Sequence, residues 1–187
     1  MATDQEREFE RLLDAMKKAA GTLNDADIPF VLGGGLACWA RGGPKTEHDV
    51  DLLVKPEDAE RAQAALRDAG LRIERPPEGW LLKAYEDGIL IDLIFDPSGG
   101  AIDDNFFARS EDMEVYAMRL KVATLEDVIT QKVLVLSEQN PDFSSVLELA
   151  RSLREQVDWD EVRKRTKDSP FGAAYFTLLA ELEIVPS

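Results

Sequence analysis

The sequence predicts an α/β fold: a mixed sheet flanked by helices, with a C-terminal helical bundle. Three observations predict it. Through residue 120 short apolar strand runs alternate with stretches of helical spacing, and one Asp-Gly pair joins two of the runs as a hairpin would; past residue 121 the apolar pattern is helical. The expected organisation is an α/β core over 1–120 and a helical subdomain over 121–187 packed on it.

The elements follow in order. Phe9, Leu12, Leu13, Met16 and Ala20 lie at helical spacing over 4–20, and Gly21 is the expected stop. Phe30-Val31-Leu32 then leads into Gly33-Gly34-Gly35, with a short helix expected over 36–41. Val50, Leu52, Leu53 and Val54 mark a strand, and Pro56 suits the first turn of a helix that carries Ala59, Ala62, Leu66 and Ala69 before Gly70. A strand follows at 71–74. The runs 80–85 and 89–95 flank Glu86-Asp87-Gly88, a hairpin pattern. Thr124 with Asp127 resembles a capping box opening a helix over 125–138, and further helices are expected over 142–156 and 170–183.

Composition narrows the function. No run approaches the roughly 18 apolar residues that span a bilayer, and MATDQEREFE is acidic where a secretion signal is basic and then apolar. A cytoplasmic protein with no membrane partner is therefore expected. Cys38 is the single cysteine, so an internal disulfide is excluded. A formal charge of −15 argues against broad binding to nucleic acid, whose affinity comes from lysine and arginine releasing counterions. From Arg151 to Lys167, however, six basic residues face four acidic ones. This is either a local basic surface or a solvated helix face of paired charges.

The chemistry concentrates where the glycine turn precedes Asp49-Val50-Asp51. Side chains two apart on a strand share a face, about 6.6 Å apart, so two carboxylates project together. Oxygen-seeking Mg2+ suits such a pair. Asp92 is a third carboxylate, alone among apolar residues in Ile89-Leu90-Ile91-Asp92-Leu93-Ile94-Phe95. Its burial calls for a compensating charge or metal. Lys132 emerges from a helical stripe with Leu125, Val128, Ile129 and Leu136, and Lys83 precedes the hairpin turn. His48, the only histidine, is read as structural or surface, and Cys38, Trp39, Trp80 and Trp159 as packing residues.

Gly34-Gly35, thirteen intervening residues, Asp49-Val50-Asp51-Leu52 and the later Asp92 resemble the nucleotidyltransferase (polymerase beta-like) superfamily. With Thr124-Leu125-Glu126-Asp127 through Lys132, the chain is similar to bacterial minimal nucleotidyltransferases, including AbiEii-type toxins. The resemblance implies Asp49, Asp51 and Asp92 as catalytic metal ligands. It also implies Gly34, Gly35, Thr46, Lys83 and Lys132 as contacts of a nucleoside triphosphate, and Mg2+ as the ion. It further implies transfer of a nucleoside monophosphate to an acceptor hydroxyl with release of pyrophosphate. An RNA-directed reaction on a tRNA end, or a toxin-type role with an antitoxin partner, is expected first. The alternatives are a small, aminoglycoside-like acceptor and a catalytically silent protein that binds nucleotide or a partner on the same fold. Two departures stand out: many relatives read Arg-x-Thr-x-Asp where this chain has Lys45-Thr46-Glu47-His48-Asp49, and Ser145 replaces the second aspartate of a Lys-Asp-x-x-Asp motif.

Overall fold

Half-buried and buried strands assemble into one seven-stranded mixed sheet of order β3-β4-β5-β2-β1-β7-β6. The computed structural model describes residues 3–46, 49–77 and 79–185. His48 lies outside the described residues. The chain runs α1 (Asp4–Asp25), β1 (Phe30–Leu32), α2 (Gly34–Trp39), β2 (Asp49–Val54), α3 (Ala59–Asp68), β3 (Arg72–Glu74), β4 (Leu81–Glu86) and β5 (Ile89–Ile94). It continues through α4 (Asp104–Arg109), β6 (Glu111–Val115), β7 (Met118–Val122), α5 (Leu125–Leu134), α6 (Ser144–Leu153), α7 (Trp159–Thr166) and α8 (Pro170–Glu181).

Each strand's alternation assigns its faces. Val50, Leu52, Val54, Ile91 and Leu93 are fully buried and point to one side, where α1 and α3 pack on the sheet. The opposite side carries Asp49, Asp51 and Asp92, and there α2 lies on β2 and against α5, which gathers α6, α7 and α8. β5 pairs with β2 in parallel, β4 with β5 and β1 with β2 antiparallel. β7 joins β1 over a single register pair, Leu32 with Val122, extended by the Ala123 N–H donating to the Leu32 carbonyl at 2.9 Å.

Several expectations shift. α1 runs past Gly21 to Asp25, because Leu23 is fully buried and offsets the glycine's weak helix preference. It stops where Asp27 takes a left-handed φ of 53° and the Ile28 N–H returns to the Leu23 carbonyl at 3.0 Å. α5 ends at Leu134, four residues short of the expected 138, and a turn at Ser137 to Asn140 follows. α4, the β6–β7 hairpin and α7 add to the expected elements: α7 is largely polar, whereas β7 does alternate, with Met118, Leu120 and Val122 on one face.

Thr124 caps α5 by accepting from the Asp127 N–H at 3.2 Å, but the Asp127 side chain does not complete the reciprocal box. It is fully buried and turned to other donors: Arg165 at 2.7 Å from α7, Arg109 at 3.0 Å from the end of α4, and the Thr124 hydroxyl at 3.0 Å. One carboxylate therefore ties three helices together. Removing it strands two guanidinium groups, one of them half-exposed. Asp127→Ala is expected to cost about 2 to 3 kcal/mol in urea unfolding, with an unchanged midpoint as the contrary result.

Candidate active site

The parallel register of β2 on β5 sets Asp51 directly beside Asp92, and the antiparallel register of β4 sets Lys83 on the other side of Asp92. On β1's side the Gly33 N–H donates to the Asp51 carbonyl at 2.9 Å. Lys83, Asp92 and Asp51 thus form one row across β4, β5 and β2, continued by Gly33 just past the end of β1. Asp49, two residues before Asp51, shares its face. An oxygen from each of Asp49, Asp51 and Asp92 lies within 4.8 Å of the others, a spacing a divalent cation can gather.

Like charges so close oppose one another. Asp51 is pushed up to about 7, first by burial and then by the Asp49 carboxylate, with Lys132 acting against both and Asp92 adding to the rise. Burial also raises Asp92, with Lys83 opposing. Asp92 Oδ1 lies 3.3 Å from Lys83 Nζ, yet it is buried and accepts no well-directed hydrogen bond. An orphaned buried oxygen in a carboxylate triad is the donor set that magnesium fits.

The glycines are needed for close approach. Gly34 has a φ of +53°, and a Cβ there would stand 1.6 Å from Asp51 Oδ2. A Cβ on Gly35 would meet Thr46 at 2.5 Å. The turn therefore brings bare backbone to the edge of the triad, and Thr46 against it.

Lys132, on α5, stands at the junction of two hollows. One, of about 340 Å³, is bordered by Gly35, Lys45, Thr46, Ser145 and Glu148. The other, of about 200 Å³, is bordered by Gly34, Asp49, Asp51, Leu53 and Trp80. A larger hollow of about 690 Å³ near Trp159 and Ile184 touches none of the expected site residues. The structure thus gathers the three aspartates, Gly34, Gly35, Thr46 and Lys132 around one cleft, and sets Lys83 on the far side of Asp92. Sequence reasoning missed Arg109 and Arg165, which fix the start of the helix that carries Lys132. Buried Asp127 in an apolar helix was the available sign.

The remaining residues behave as packing. Cys38 is buried, which pushes its thiol up to about 11, and Trp39 stacks edge-on with Phe9 at 5.0 Å. The basic stretch is largely consumed locally. Arg154 pairs with Glu155, Lys164 with Glu161 and Arg165 with Asp127, while the Arg163 guanidinium lies 4.1 Å from the Phe176 ring centre.

A family model described as an uncharacterised nucleotidyltransferase matches residues 3–183. The chain belongs to this nucleotidyltransferase family. Its fold is similar to that of ANT(2'')-Ia in complex with adenylyl-2''-tobramycin, at 15% identity and a TM-score of 0.64 over 90% of this chain and 98% of that one. TM1012 of Thermotoga maritima, a candidate nucleotidyltransferase, aligns at 18% identity and a TM-score of 0.55 over 78% and 92% of the two chains. The lincosamide antibiotic adenylyltransferase LnuA, lincomycin-bound, aligns at 13% identity and 0.52 over 81% and 98%. No curated protein matches the chain in sequence. Among the described residues no helix is long and apolar enough to cross a membrane.

The crowded carboxylates tie the stability of the fold to pH. Asp51 has a folded pKa of about 7, above its ordinary 3.8, so the folded protein holds the proton more tightly. Its contribution is present below pH 4 and lost as pH rises through 7. In chelator, the thermal midpoint of the wild type minus that of Asp51→Asn is expected to fall across this window by several degrees, and Mg2+ is expected to restore it. A flat difference curve, with or without Mg2+, would remove the repulsive triad.

Proposed function

We propose that the chain transfers a nucleoside monophosphate from a nucleoside triphosphate to an acceptor hydroxyl, releasing pyrophosphate, with Mg2+ held by Asp49, Asp51 and Asp92. The observation that carries it is the convergence of those carboxylates beside the Gly34 backbone in a member of this family. When bound, Mg2+ supplies positive charge to the transferring phosphoryl group and the departing pyrophosphate. The protein's part is positioning. Gly34, Gly35, Thr46 and Lys132 form the anion-binding end of the cleft, where pyrophosphate departs. In-line displacement then puts the acceptor at the opposite end of the row, over Asp92. Asp92 takes the acceptor proton, and Lys83, its ion-pair partner, is a positioning residue for it and not a triphosphate contact.

The acceptor is a small molecule, neutral or cationic. Its support is the consumption of Arg154, Arg163, Lys164 and Arg165 by local partners in a chain of charge −15, which leaves little cationic surface for RNA. Two proteins similar in fold were solved with an adenylylated tobramycin and with lincomycin, so this scaffold accommodates such acceptors. An RNA-directed, toxin-type reaction with an antitoxin partner is the second reading, and exposed Arg151 and Lys167 are its support.

The decisive experiment incubates the protein with each labelled nucleoside triphosphate and Mg2+, against a panel of polyhydroxylated amines and against total tRNA. Label transfer to the amines is expected, and transfer to tRNA alone selects the second reading. Asp49→Asn and Asp51→Asn are expected to abolish Mg2+-dependent nucleotide binding. Asp92→Asn is expected to lower the transfer rate at least about a hundredfold while changing nucleotide affinity little. Wild-type turnover in that variant at saturating nucleotide would exclude Asp92 from the chemistry. Lys132→Ala is expected to weaken triphosphate binding more than monophosphate binding, and equal effects on both would make it a structural lysine.

A further inference from the structure

A nucleotide bound with its α-phosphate at the triad has two unlike ends to place, and the cleft offers two unlike hollows, both touching Lys132. The hollow toward residues 44–46 holds Lys45, Thr46, Ser145 and the Gly35 backbone with exposed Glu148 at its border, and with Lys132 it offers the donors that β- and γ-phosphates take. The other runs from Asp51 past Leu53 to Trp80, Ile94, Pro97 and Val135. Its far wall is apolar. A triphosphate tail there would lose its hydration without gaining a partner, whereas the uncharged nucleoside would cover apolar surface.

Two features of that wall have no use in the fold. Val135, the cap residue of α5, is 53% exposed, an uncovered aliphatic side chain at the cleft. Trp80 is only half-buried, although its carbonyl is fixed by the Phe95 N–H at 3.1 Å and the Asp96 N–H at 3.3 Å. Its indole is thus held at the mouth by a backbone tied to β5. Facing it, Val128, Gln131, Lys132 and Val135 follow the i, i+3, i+4, i+7 spacing of one helical face. Lys132 at the phosphates and Gln131 beside it therefore address adjoining parts of one ligand.

We propose that this second hollow is the nucleobase subsite, with Trp80 and Val135 covering the ring faces and the Gln131 amide selecting adenine. A glutamine amide offers one donor and one acceptor side by side, which complements the N6 amine and neighbouring ring nitrogen of adenine. Along the corresponding Hoogsteen edge guanine presents two acceptors, N7 and O6, in place of that pair. Stacking favours the larger purine ring over cytosine.

The inference rests on the nucleotidyl-transfer reading above, and binding measurements separate the two. Calorimetry in Mg2+ would compare ATP, GTP, CTP, UTP and inorganic tripolyphosphate on the wild type, Trp80→Ala, Trp80→Phe and Gln131→Ala. The wild type is expected to bind ATP most tightly. Trp80→Ala is expected to weaken ATP about tenfold, the scale of one lost stacking contact, and to leave tripolyphosphate unchanged. Trp80→Phe should retain most of the affinity, and Gln131→Ala should level ATP with GTP while both still bind more tightly than CTP and UTP. Unchanged ATP binding in Trp80→Ala, an equal loss for tripolyphosphate, or unaltered base preference in Gln131→Ala would overturn the subsite. A folded wild type that binds neither ATP nor tripolyphosphate would overturn the nucleotidyl-transfer reading itself.

Discussion

The parallel register between β2 and β5 is the constraint on which the site depends. It sets Asp51 against Asp92, and no rotamer change can separate two residues that share a row of adjacent strands. The apolar residues enforce that register, because a slip by one position would turn fully buried Val50, Leu52, Ile91 and Leu93 to the cleft face. Hydrophobic burial thus maintains an arrangement that electrostatics opposes. A divalent cation bound there would relieve the opposition, and Gly34, lacking a Cβ, lets the Asp51 carboxylate lie against its backbone.

The second half of the site hangs from Asp127. Its contacts with Arg109 and Arg165 bring α4 and α7 to the start of α5, about 1.4 turns before Lys132. The helical layer is therefore fixed relative to the sheet at the residue level, which a general apolar contact would not achieve. It is an ion cluster with a positioning consequence: Lys132, at the edge of the triad cleft, stands on a helix clamped at its first turn.

Much of this was legible in the sequence. Period-two spacing placed Asp49 and Asp51 on one face, Asp87-Gly88 announced the β4–β5 hairpin, and the isolation of Asp92 among aliphatics marked it as needing compensation. What could not be read was adjacency between distant segments. Nothing local says that β5 pairs with β2 in parallel, so the contact of Asp51 with Asp92 had no sequence sign, whereas Lys83 opposite Asp92 follows from the hairpin itself. α7, written Trp-Asp-Glu-Val-Arg-Lys-Arg-Thr, buries only Val162 and Thr166 and takes its stability from tertiary partners, so periodicity passed over it. Gly21 misled in the other direction, since burial of Leu23 outweighs a local preference worth about 1 kcal/mol.

The seam between β1 and β7 is narrow, one register pair and one additional hydrogen bond, whereas β2, β4 and β5 are zipped along their whole lengths. The sheet is accordingly uneven in cooperativity. Sub-global opening costs least where the fewest ladder bonds must break, which makes the β6–β7 hairpin a separate unit of breathing while the triad strands stay closed. β7 runs through Ala123 straight into the cap of α5. The least cooperative joint of the sheet is therefore also the one whose strand leads directly into the helix of Lys132, while the strand register beneath the carboxylates rests on longer ladders.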